Sequence, residues 1–352
     1  MTERPISWDE IFEKLTEKQN LSDLQINWAM SQILDGLANN DQIKNFLLLL
    51  KAKGEKPSEV RALVDVMYQR GIAINIAERA VDIVGTGGDG ASTINISTTA
   101  AIITTAAGAR TIKHGNRAAS SKSGAADLLE ALGIDISLGA EQIQECVRRI
   151  GIGFAFAPVF HPAMKNAASA RRELATPTVF NILGPLANPA KPKAVAIGVA
   201  RAELLELVAT VLAERGCEGF IFRGDDGLDE ISLSTTSTIF QINNGEITRH
   251  IFDPSELGLE RVGIEELRGG SPGENAEITR AIFAGKGGPY RQSVLLNAAA
   301  AIAAFKADFH LGLTQQLANG YTLAKQAVDS GAAAQLVERW ANLSTELAKS
   351  SL

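Results

Sequence analysis

Residues 85–90 form a glycine-rich loop whose composition suits phosphate binding. The loop, Gly-Thr-Gly-Gly-Asp-Gly, follows the predicted short strand 81–84 and precedes a helical pattern over residues 94–107. Glycines let backbone N–H groups approach phosphate oxygens, and the next helix N-terminus adds a favourable partial charge. The loop also fits the G-x-G-x-x-G fingerprint, but a dinucleotide site needs an acidic residue about 20 positions later. Arg110 and Lys113 lie there instead. The prediction is a phosphate site, with a purely steric glycine turn as the alternative.

A second loop, residues 113–124, joins the predicted strand 110–113 to the predicted helix 125–132 and is rich in hydrogen-bond donors. Hydroxyl and amide side chains also crowd residues 92–98, where they can cap the helix or bind phosphate and metal. From residue 90 to residue 126 the chain has no acidic side chain. Loops at neighbouring strand ends meet at one edge of a parallel sheet, so we predict one extended polyphosphate ligand across both. The alternative for the second loop is a solvated, charged turn.

Four carboxylates follow the predicted strand 219–222 within six positions: Asp225, Asp226, Asp229 and Glu230. Surface Asp-Gly turns are common, so this pattern alone is compatible with a simple turn. Beside a polyphosphate site the same pattern indicates a magnesium site, because Mg²⁺ prefers oxygen ligands together with water and substrate phosphates. We assign Asp229 and Glu230 to magnesium and expect Asp225 and Asp226 to shape the turn.

Two adjacent arginines, Arg171 and Arg172, lie on a helix predicted to begin at His161-Pro162 and to continue to Leu174. Adjacent helical side chains point in different directions, so one arginine can face solvent or pair with Glu173 while the other reaches inward. An inward arginine suits a planar carboxylate; two surface arginines are the alternative. Residues 181–189 are predicted to form a rigid, proline-containing loop. His250 and His310 are interpreted as structural.

The elements that position these residues fall into two groups. The first 75 residues show helical periodicity, with capping-box patterns at residues 7–10 and 22–25. From about residue 80, strands alternate with alanine-rich helices, which is typical of βα units and a parallel sheet. Asn244-Gly245 between two apolar runs predicts a hairpin. The tail, residues 293–347, has helical spacing. The sequence thus predicts an α/β fold with a mostly parallel sheet and a small N-terminal helical domain.

Composition narrows the class of protein. The chain has 352 residues, 45% of them hydrophobic and 21% charged, and a formal net charge of −6, which disfavours general capture of nucleic acid. Cys146 and Cys217 lack the spacing of a zinc or redox site. We expect no leader segment, because the first 20 residues alternate charged and apolar side chains, and no apolar run reaches the roughly 18 residues that a membrane span needs. A cytoplasmic protein without a membrane role is expected.

Taken together, these segments resemble the anthranilate phosphoribosyltransferase family. The resemblance rests on residues 85–98, 113–133, 161–189 and 224–231, in this order and spacing, and covers nearly the whole chain. The most specific parts are the second loop, Arg-Glu-Leu at residues 172–174 and Phe-Asn-Ile-Leu-Gly-Pro-Leu at residues 180–186. One departure is Ala175, where relatives often carry glycine; we expect it to alter a loop detail.

The resemblance implies a nucleoside phosphorylase/phosphoribosyltransferase-like architecture. A helical domain, residues 1–75 joined by part of residues 165–190, would meet an α/β catalytic domain, residues 76–352, at an active-site cleft. It also implies Mg²⁺ as cofactor and the substrates anthranilate and 5-phosphoribosyl 1-pyrophosphate (PRPP). A homodimer, formed mainly through the helical part, is expected.

Residue roles follow from the same resemblance, position by position. Residues implied to hold PRPP are Gly85, Gly88, Asp89, Thr93, Asn95, Ile96, Ser97, Thr98, Lys113, His114, Gly115, Asn116, Arg117, Ala118, Ala119, Ser120, Ser121 and Ala125. Anthranilate would contact Gly85, His114, Asn116 and Arg171, the last through its carboxylate. Ser97, Asp229 and Glu230 would coordinate magnesium. No nucleophile or essential base is implied.

Two other functions are compatible with parts of this pattern. A pyrimidine nucleoside phosphorylase shares the architecture but would use inorganic phosphate, and the Asp229-Glu230 pair counts against it. A nucleic-acid-binding paralogue would need a basic groove, which the isoelectric point of about 5.4 disfavours.

Overall fold

The computed structural model describes residues 5–118 and 121–350. Its first four helices are α1 (Trp8–Thr16), α2 (Asp23–Leu34), α3 (Asn40–Lys53) and α4 (Pro57–Arg70). Ser7 and Ser22 accept hydrogen bonds from the backbone N–H groups of Glu10 and Gln25, and Ser22 forms the complete capping box. The predicted helix starts are therefore confirmed at both positions.

A seven-stranded sheet, in the order β3-β2-β1-β4-β5-β6-β7, forms the centre of the rest of the chain. The strands are β1 (Val81–Gly85), β2 (Thr111–Gly115), β3 (Ile152–Phe156), β4 (Ala194–Gly198), β5 (Glu218–Gly224), β6 (Ser237–Asn243) and β7 (Glu246–Phe252). The first five strands pair in parallel, and β6 and β7 add an antiparallel edge. Asn244 and Gly245 adopt positive φ angles of 49° and 81° at the tip of the β6–β7 hairpin. The mostly parallel sheet and the hairpin are confirmed.

Helices cover both faces of this sheet. They are α5 (Ile96–Ala106), α6 (Ala125–Ala131), α7 (Ala140–Ile150), α8 (Ala157–Phe160), α9 (Ala168–Leu174), α10 (Phe180–Leu186), α11 (Ala202–Glu214), α12 (Pro272–Phe283), α13 (Pro289–Lys306), α14 (Leu313–Asp329) and α15 (Ala332–Lys349). Short 3₁₀ helices span Pro162–Ala167, Pro254–Leu257 and Ile264–Leu267. No helix within the described residues is long and apolar enough to cross a membrane.

Two apolar cores lie on opposite sides of the sheet. In β4, Ala194 and Ala196 contribute to one core, while Val195 and Ile197 contribute to the other, as strand alternation requires. The second core also contains the buried side chains of α1–α4, of residues 167–187 and of α11. Residues 167–187 thus pack with the N-terminal helices although they follow β3 in sequence. The domain limits at residues 75 and 76 stay a prediction.

Two local predictions were wrong. Residues 180–186 form α10, because Phe180, Ile182, Leu183 and Leu186 are buried in the second core, and this packing outweighs a proline in the last turn of a short helix. The helix predicted from His161 instead begins as the 3₁₀ helix Pro162–Ala167, with α9 only from Ala168. Proline at its first position is compatible with either helix type.

Candidate active site

The predicted glycine loop leaves β1 at the carboxyl edge of the sheet and leads into α5. Gly87, Gly88 and Gly90 have φ angles of 71°, 84° and 75°, a conformation that side chains with a Cβ rarely adopt. Gly85 is different, because its requirement for glycine is steric: a Cβ there would overlap the Asp229 carboxylate. A Cβ on Gly198, at the end of the adjacent strand β4, would overlap the backbone of Asp229. Both strand ends therefore admit Asp229 only because they carry glycine.

Asp229 and Glu230 lie side by side beneath this loop, each 7% exposed. The Gly87 N–H donates to Asp229 Oδ2 at 2.6 Å, and the Ser97 N–H donates to Glu230 Oε1 at 3.1 Å. Burial, and then the charge of Asp89, raise the pKa of Asp229 to about 7. Burial and the charge of Asp229 also raise the pKa of Glu230. The site thus concentrates negative charge that a bound cation would stabilise.

Lys113, on β2, is a buried cation with 1% exposure, and its charge interacts with those of Asp229 and Glu230. Its Nζ donates to the Ile83 carbonyl at 2.5 Å and to Ser97 Oγ at 3.2 Å. Burial lowers the pKa of Lys113, while the charges of Asp82, Glu230 and Asp229 oppose that shift. Lys113 therefore partly balances the acid pair and also fixes the Ser97 hydroxyl predicted to bind magnesium.

Asp225 and Asp226 shape the turn after β5, as predicted. Asp226 accepts hydrogen bonds from the Ser232 hydroxyl at 2.6 Å and the Leu228 N–H at 3.2 Å, and Asp225 accepts from the Thr236 hydroxyl. The described residues contain no group of three or more His, Cys, Asp or Glu side chains arranged to hold a metal.

The second loop is held by acids that follow it in sequence. Asp127 Oδ2 accepts hydrogen bonds from the N–H groups of Ala118 at 3.0 Å and Gly124 at 2.8 Å. The Arg117 guanidinium contacts Asp127 at 2.9 Å and Glu130 at 2.5 Å. From the sequence we considered the stretch without acids, which ends at residue 126, and therefore missed Asp127 as the partner of Arg117. In this structure the Arg117 charge is compensated within the loop and its helix.

The other residues of this loop that were predicted to bind PRPP make contacts mainly with their neighbours in sequence. Asn116 Oδ1 accepts from the Arg117 N–H at 2.8 Å, and Ser121 Oγ donates to the Ser123 carbonyl at 3.2 Å. Gly115 ends β2 beside Ala125, the first residue of α6. The predictions for Ala119 and Ser120 fall outside the described residues.

His114 links the second loop to α10. Its Nδ1 lies 2.9 Å from the Gly184 carbonyl, so Nδ1 carries the proton and donates. Burial, and then the neighbouring His161, lower the pKa of His114 to about 3, which keeps the ring neutral. The rings of His114 and His161 meet edge to face at 5.3 Å, and His161 Nε2 lies 2.8 Å from the Ala187 carbonyl. This pair connects β2 to the segment that packs with the N-terminal helices.

Sequence reasoning missed the support beneath His114. Asp82 Oδ1 accepts from the His114 N–H at 3.3 Å, and Asp82 Oδ2 accepts from Asn188 Nδ2 at 2.8 Å. Burial raises the pKa of Asp82 to about 6. The sequence does carry one signal for this contact: Asp82 stands among the apolar residues of a predicted strand. Buried carboxylates need hydrogen-bond partners, so such a residue indicates a polar contact inside the protein.

Arg171 lies on α9 and has no ion-pair partner among the residues that the structure describes. Solvent reaches the residue, yet the surrounding protein lowers the pKa of its guanidinium by burial. Glu173 does not pair with either arginine, contrary to one predicted option; it binds Lys44 at 2.9 Å and Asn40 at 2.7 Å on α3. α9 is thereby anchored to the N-terminal helices, which leaves Arg171 available for an anion.

Family models match most of the chain. Residues 9–71 match the helical bundle domain of a glycosyl transferase family, and residues 77–334 match its α/β domain. The fold and the site therefore define a glycosyl transferase with a helical bundle and a mostly parallel α/β unit.

Relatives narrow this class. The anthranilate phosphoribosyltransferase of Rhodococcus jostii is 50% identical over 98% of this chain and 95% of its own length, and that of Nocardia farcinica is 48% identical over 95% and 98%. The solved anthranilate phosphoribosyltransferase of Thermus thermophilus has 36% identity and a TM-score of 0.88, covering 95% of this chain and 99% of its own. A Saccharomyces cerevisiae anthranilate phosphoribosyltransferase structure in complex with PRPP and Mg has 28% identity and a TM-score of 0.88, covering 97% and 98%. The chain belongs to the anthranilate phosphoribosyltransferase family.

Proposed function

We propose that the protein transfers the phosphoribosyl group of PRPP to the amine of anthranilate, a step of tryptophan biosynthesis. The products are N-(5-phosphoribosyl)anthranilate and pyrophosphate. The observation that carries the proposal is the meeting of a glycine loop, a donor-rich loop and the buried Asp229-Glu230 pair at one edge of the sheet. The relatives named above, and the PRPP and Mg bound to one of them, support it.

The reaction needs positioning and charge stabilisation more than a strong base. The aniline-type amine is largely neutral near pH 7 and has a free electron pair. Its nitrogen forms a bond to the ribose anomeric carbon as the bond from that carbon to pyrophosphate breaks, and one amine proton is released. The phosphate groups would be stabilised by the N-terminus of α5 and by those backbone N–H groups of the two loops that do not donate to Asp229, Asp127 or Asn116.

The donor set at the carboxyl edge fits magnesium. Burial and neighbouring carboxylates raise the pKa values of Asp229 and Glu230, so a cation bound between them would favour their charged forms. Ser97 supplies a hydroxyl oxygen beside them, fixed by Lys113 at 3.2 Å. These three residues would hold the ion, which supplies positive charge to the departing pyrophosphate.

The acceptor side would be formed by α9 and the end of β2. Arg171 would bind the anthranilate carboxylate through its guanidinium, which has no ion-pair partner within the described ranges. Asn116, His114 and Gly85 would border the ring. The neutral state of His114 suits contact with an aromatic ring and an uncharged amine.

The direct test is the loss of anthranilate fluorescence after purified protein is mixed with anthranilate, PRPP and Mg²⁺. Loss that EDTA abolishes is expected. Without any loss, phosphorolysis of pyrimidine nucleosides and a salt-dependent DNA gel shift would test the two other functions, and the proposal would be wrong.

Arg171→Ala tests the acceptor side, with Arg172→Ala as the matched control on the same helix. We expect the KM for anthranilate to rise about 20-fold in Arg171→Ala, because a bidentate charge-assisted contact is lost, while the KM for PRPP changes little. Arg172→Ala should change neither. Equal effects of Arg171→Ala on both substrates would remove it from the acceptor site.

A homodimer formed through the N-terminal helices is part of this proposal. Leu24, Leu37 and Leu48 of that region are 72%, 66% and 42% exposed, and apolar side chains at such positions favour contact with a second copy. Light scattering should give twice the chain mass, and Leu48→Glu on α3 should lower that mass. A monomeric wild type would contradict the dimer. The cytoplasmic location and the lack of a nucleic-acid partner stay predictions.

A further inference from the structure

Asn275 is a buried amide on α12 that none of the roles above includes. It is 2% exposed, in the first turn of the helix. Its Nδ2 donates to Asn95 Oδ1 at 2.8 Å, and its Oδ1 accepts from the Gly270 N–H at 2.8 Å. Asn95 lies between the two phosphate loops: its Nδ2 donates to the Ser123 carbonyl at 2.9 Å, and its Oδ1 also accepts from Ser123 Oγ at 3.0 Å.

The direction of this hydrogen-bond chain is fixed at both ends. The Gly270 N–H can only donate, so the atom of Asn275 that faces it must be oxygen. The amide nitrogen of Asn275 therefore faces Asn95 and requires an oxygen there. The amide nitrogen of Asn95 then faces the Ser123 carbonyl, which can only accept. Neither amide can rotate by half a turn without opposing two donors or two acceptors.

The segment that carries Asn275 braces both phosphate loops. The Gly269 N–H donates to the Ser92 carbonyl at 2.8 Å, and the Ile94 N–H donates to the Leu267 carbonyl at 2.9 Å. From the same helix, Thr279 Oγ1 lies 3.1 Å from Thr99 Oγ1 on α5, and Arg280 Nη2 donates to the Ala131 carbonyl on α6 at 3.0 Å. α12 therefore holds together the two helices that follow the two loops.

We propose that Asn275 is a positioning residue: it fixes the side-chain amide of Asn95 in the orientation that binds PRPP, and through Asn95 it sets the separation of the two loops. Asn95 Oδ1 is occupied by two donors, and one of its Nδ2 hydrogens is used by Ser123. The remaining hydrogen then has a fixed direction and is available to a ligand oxygen. This inference rests on the proposed function.

Asn275→Asp is the sharpest variant, because it keeps the shape and the bond from Gly270 but places an acceptor opposite Asn95 Oδ1. We expect the Kd for PRPP with Mg²⁺, measured by calorimetry, and the KM for PRPP to rise roughly tenfold, as loss of a buried hydrogen bond predicts. The KM for anthranilate should stay within about twofold. In an Asn95→Ala background, Asn275→Asp should add less than about twofold, because the two residues act through one contact.

Thr279→Val is the matched control on α12, since it removes the bond to Thr99 and leaves Asn275 in place. It should lower the Tm without changing the affinity for PRPP. Unchanged PRPP affinity in folded Asn275→Asp, or an equal rise in both KM values, would overturn the proposal. If Asn275→Asp does not fold, Asn275→Ala is tested instead. It should likewise raise the KM for PRPP and leave the KM for anthranilate nearly unchanged. Absence of turnover in a wild type that binds PRPP would contradict the proposed function and not the role of Asn275.

Discussion

Asp229 and Asp127 do the same structural task in the two predicted phosphate loops, yet their pKa values move in opposite directions. Each accepts backbone N–H hydrogen bonds: Asp229 from Gly87, and Asp127 from Ala118 and Gly124. Burial and the charge of Asp89 raise the pKa of Asp229 to about 7. Burial acts on Asp127 in the same direction, but the two N–H groups and Arg117 outweigh it and lower its pKa.

The charged form of Asp127 stabilises the folded protein, whereas the charged form of Asp229 destabilises it. Asp127 is local, three residues after Gly124, and is compensated by Arg117, so its charge is favourable in the folded state. Asp229 comes from a segment far from the glycine loop in sequence, lies beside other acids and is admitted only by Gly85 and Gly198. A buried charge kept at such cost is typical of a functional site.

The largest effect is expected from Asp229→Asn combined with Glu230→Gln. Turnover should fall roughly 1,000-fold, because the charge that would hold magnesium at the departing pyrophosphate is lost. Turnover is measured by anthranilate fluorescence over a magnesium titration. An unchanged titration curve would remove both residues from the metal site.

The same variant should be more stable than wild type when both are treated with EDTA. The folded-state pKa of Asp229, about 7, lies above its ordinary value of 3.8, so the folded protein binds this proton more tightly. The stability that Asp229 contributes is then present at low pH and is lost as pH rises from about 4 to about 7. The Tm advantage of the variant should therefore grow from pH 5 to pH 8; a constant difference would contradict the raised pKa.

Gly85→Ala should lower turnover about 30-fold, since the added Cβ displaces the Asp229 carboxylate, and small misplacements at a reacting centre are costly. The matched control is Gly273→Ala on α12, where a Cβ meets no atom within 4 Å. The control should keep turnover within about threefold. Similar losses in both variants would show that the close approach at Gly85 is not what matters.

Asp127→Ala should act on the second loop with a smaller effect. We expect the KM for PRPP to rise roughly fivefold, because two loop N–H groups lose their acceptor, and stability to fall by about 1–2 kcal/mol. Urea denaturation measures the latter. The Asp229 variant is expected to be stabilised, whereas Asp127→Ala is expected to be destabilised. An Asp127→Ala protein more stable than wild type would contradict this difference between the two carboxylates.

The smallest effect is expected from Glu130→Gln, which removes the more exposed of the two ion-pair partners of Arg117. The KM for PRPP should fall by no more than about twofold at low salt, as Arg117 becomes freer to bind phosphate, and the change should vanish at high salt. A salt-independent change would indicate that Glu130 acts through the shape of the loop.

Local sequence patterns correctly predicted those helix starts, loops and turns that are determined by residues close in sequence. The two capped helices, the glycine loop between β1 and α5 and the Asn244-Gly245 hairpin follow from spacing and turn chemistry. The arrangement of strands around the site also followed, because parallel strands place their following loops at one edge.

Contacts between distant segments could not be predicted in this way. α10 was missed because its burial against the N-terminal helices decides its conformation. Strand β3 was also missed, as its run of five residues between helices has no alternation to reveal it. The Asp82–Asn188 and Asn95–Asn275 contacts join residues 106 and 180 positions apart, and a single sequence carries no signal for such pairs.

The return of residues 167–187 to the N-terminal helices limits how this molecule can be divided. Val179, Phe180 and Leu183 are buried among side chains contributed by the start of the chain. A fragment that begins at residue 76 would expose these side chains to water and should aggregate. The two parts are therefore not interchangeable modules, and recombination between relatives should succeed only when the helical bundle and residues 167–187 are inherited together.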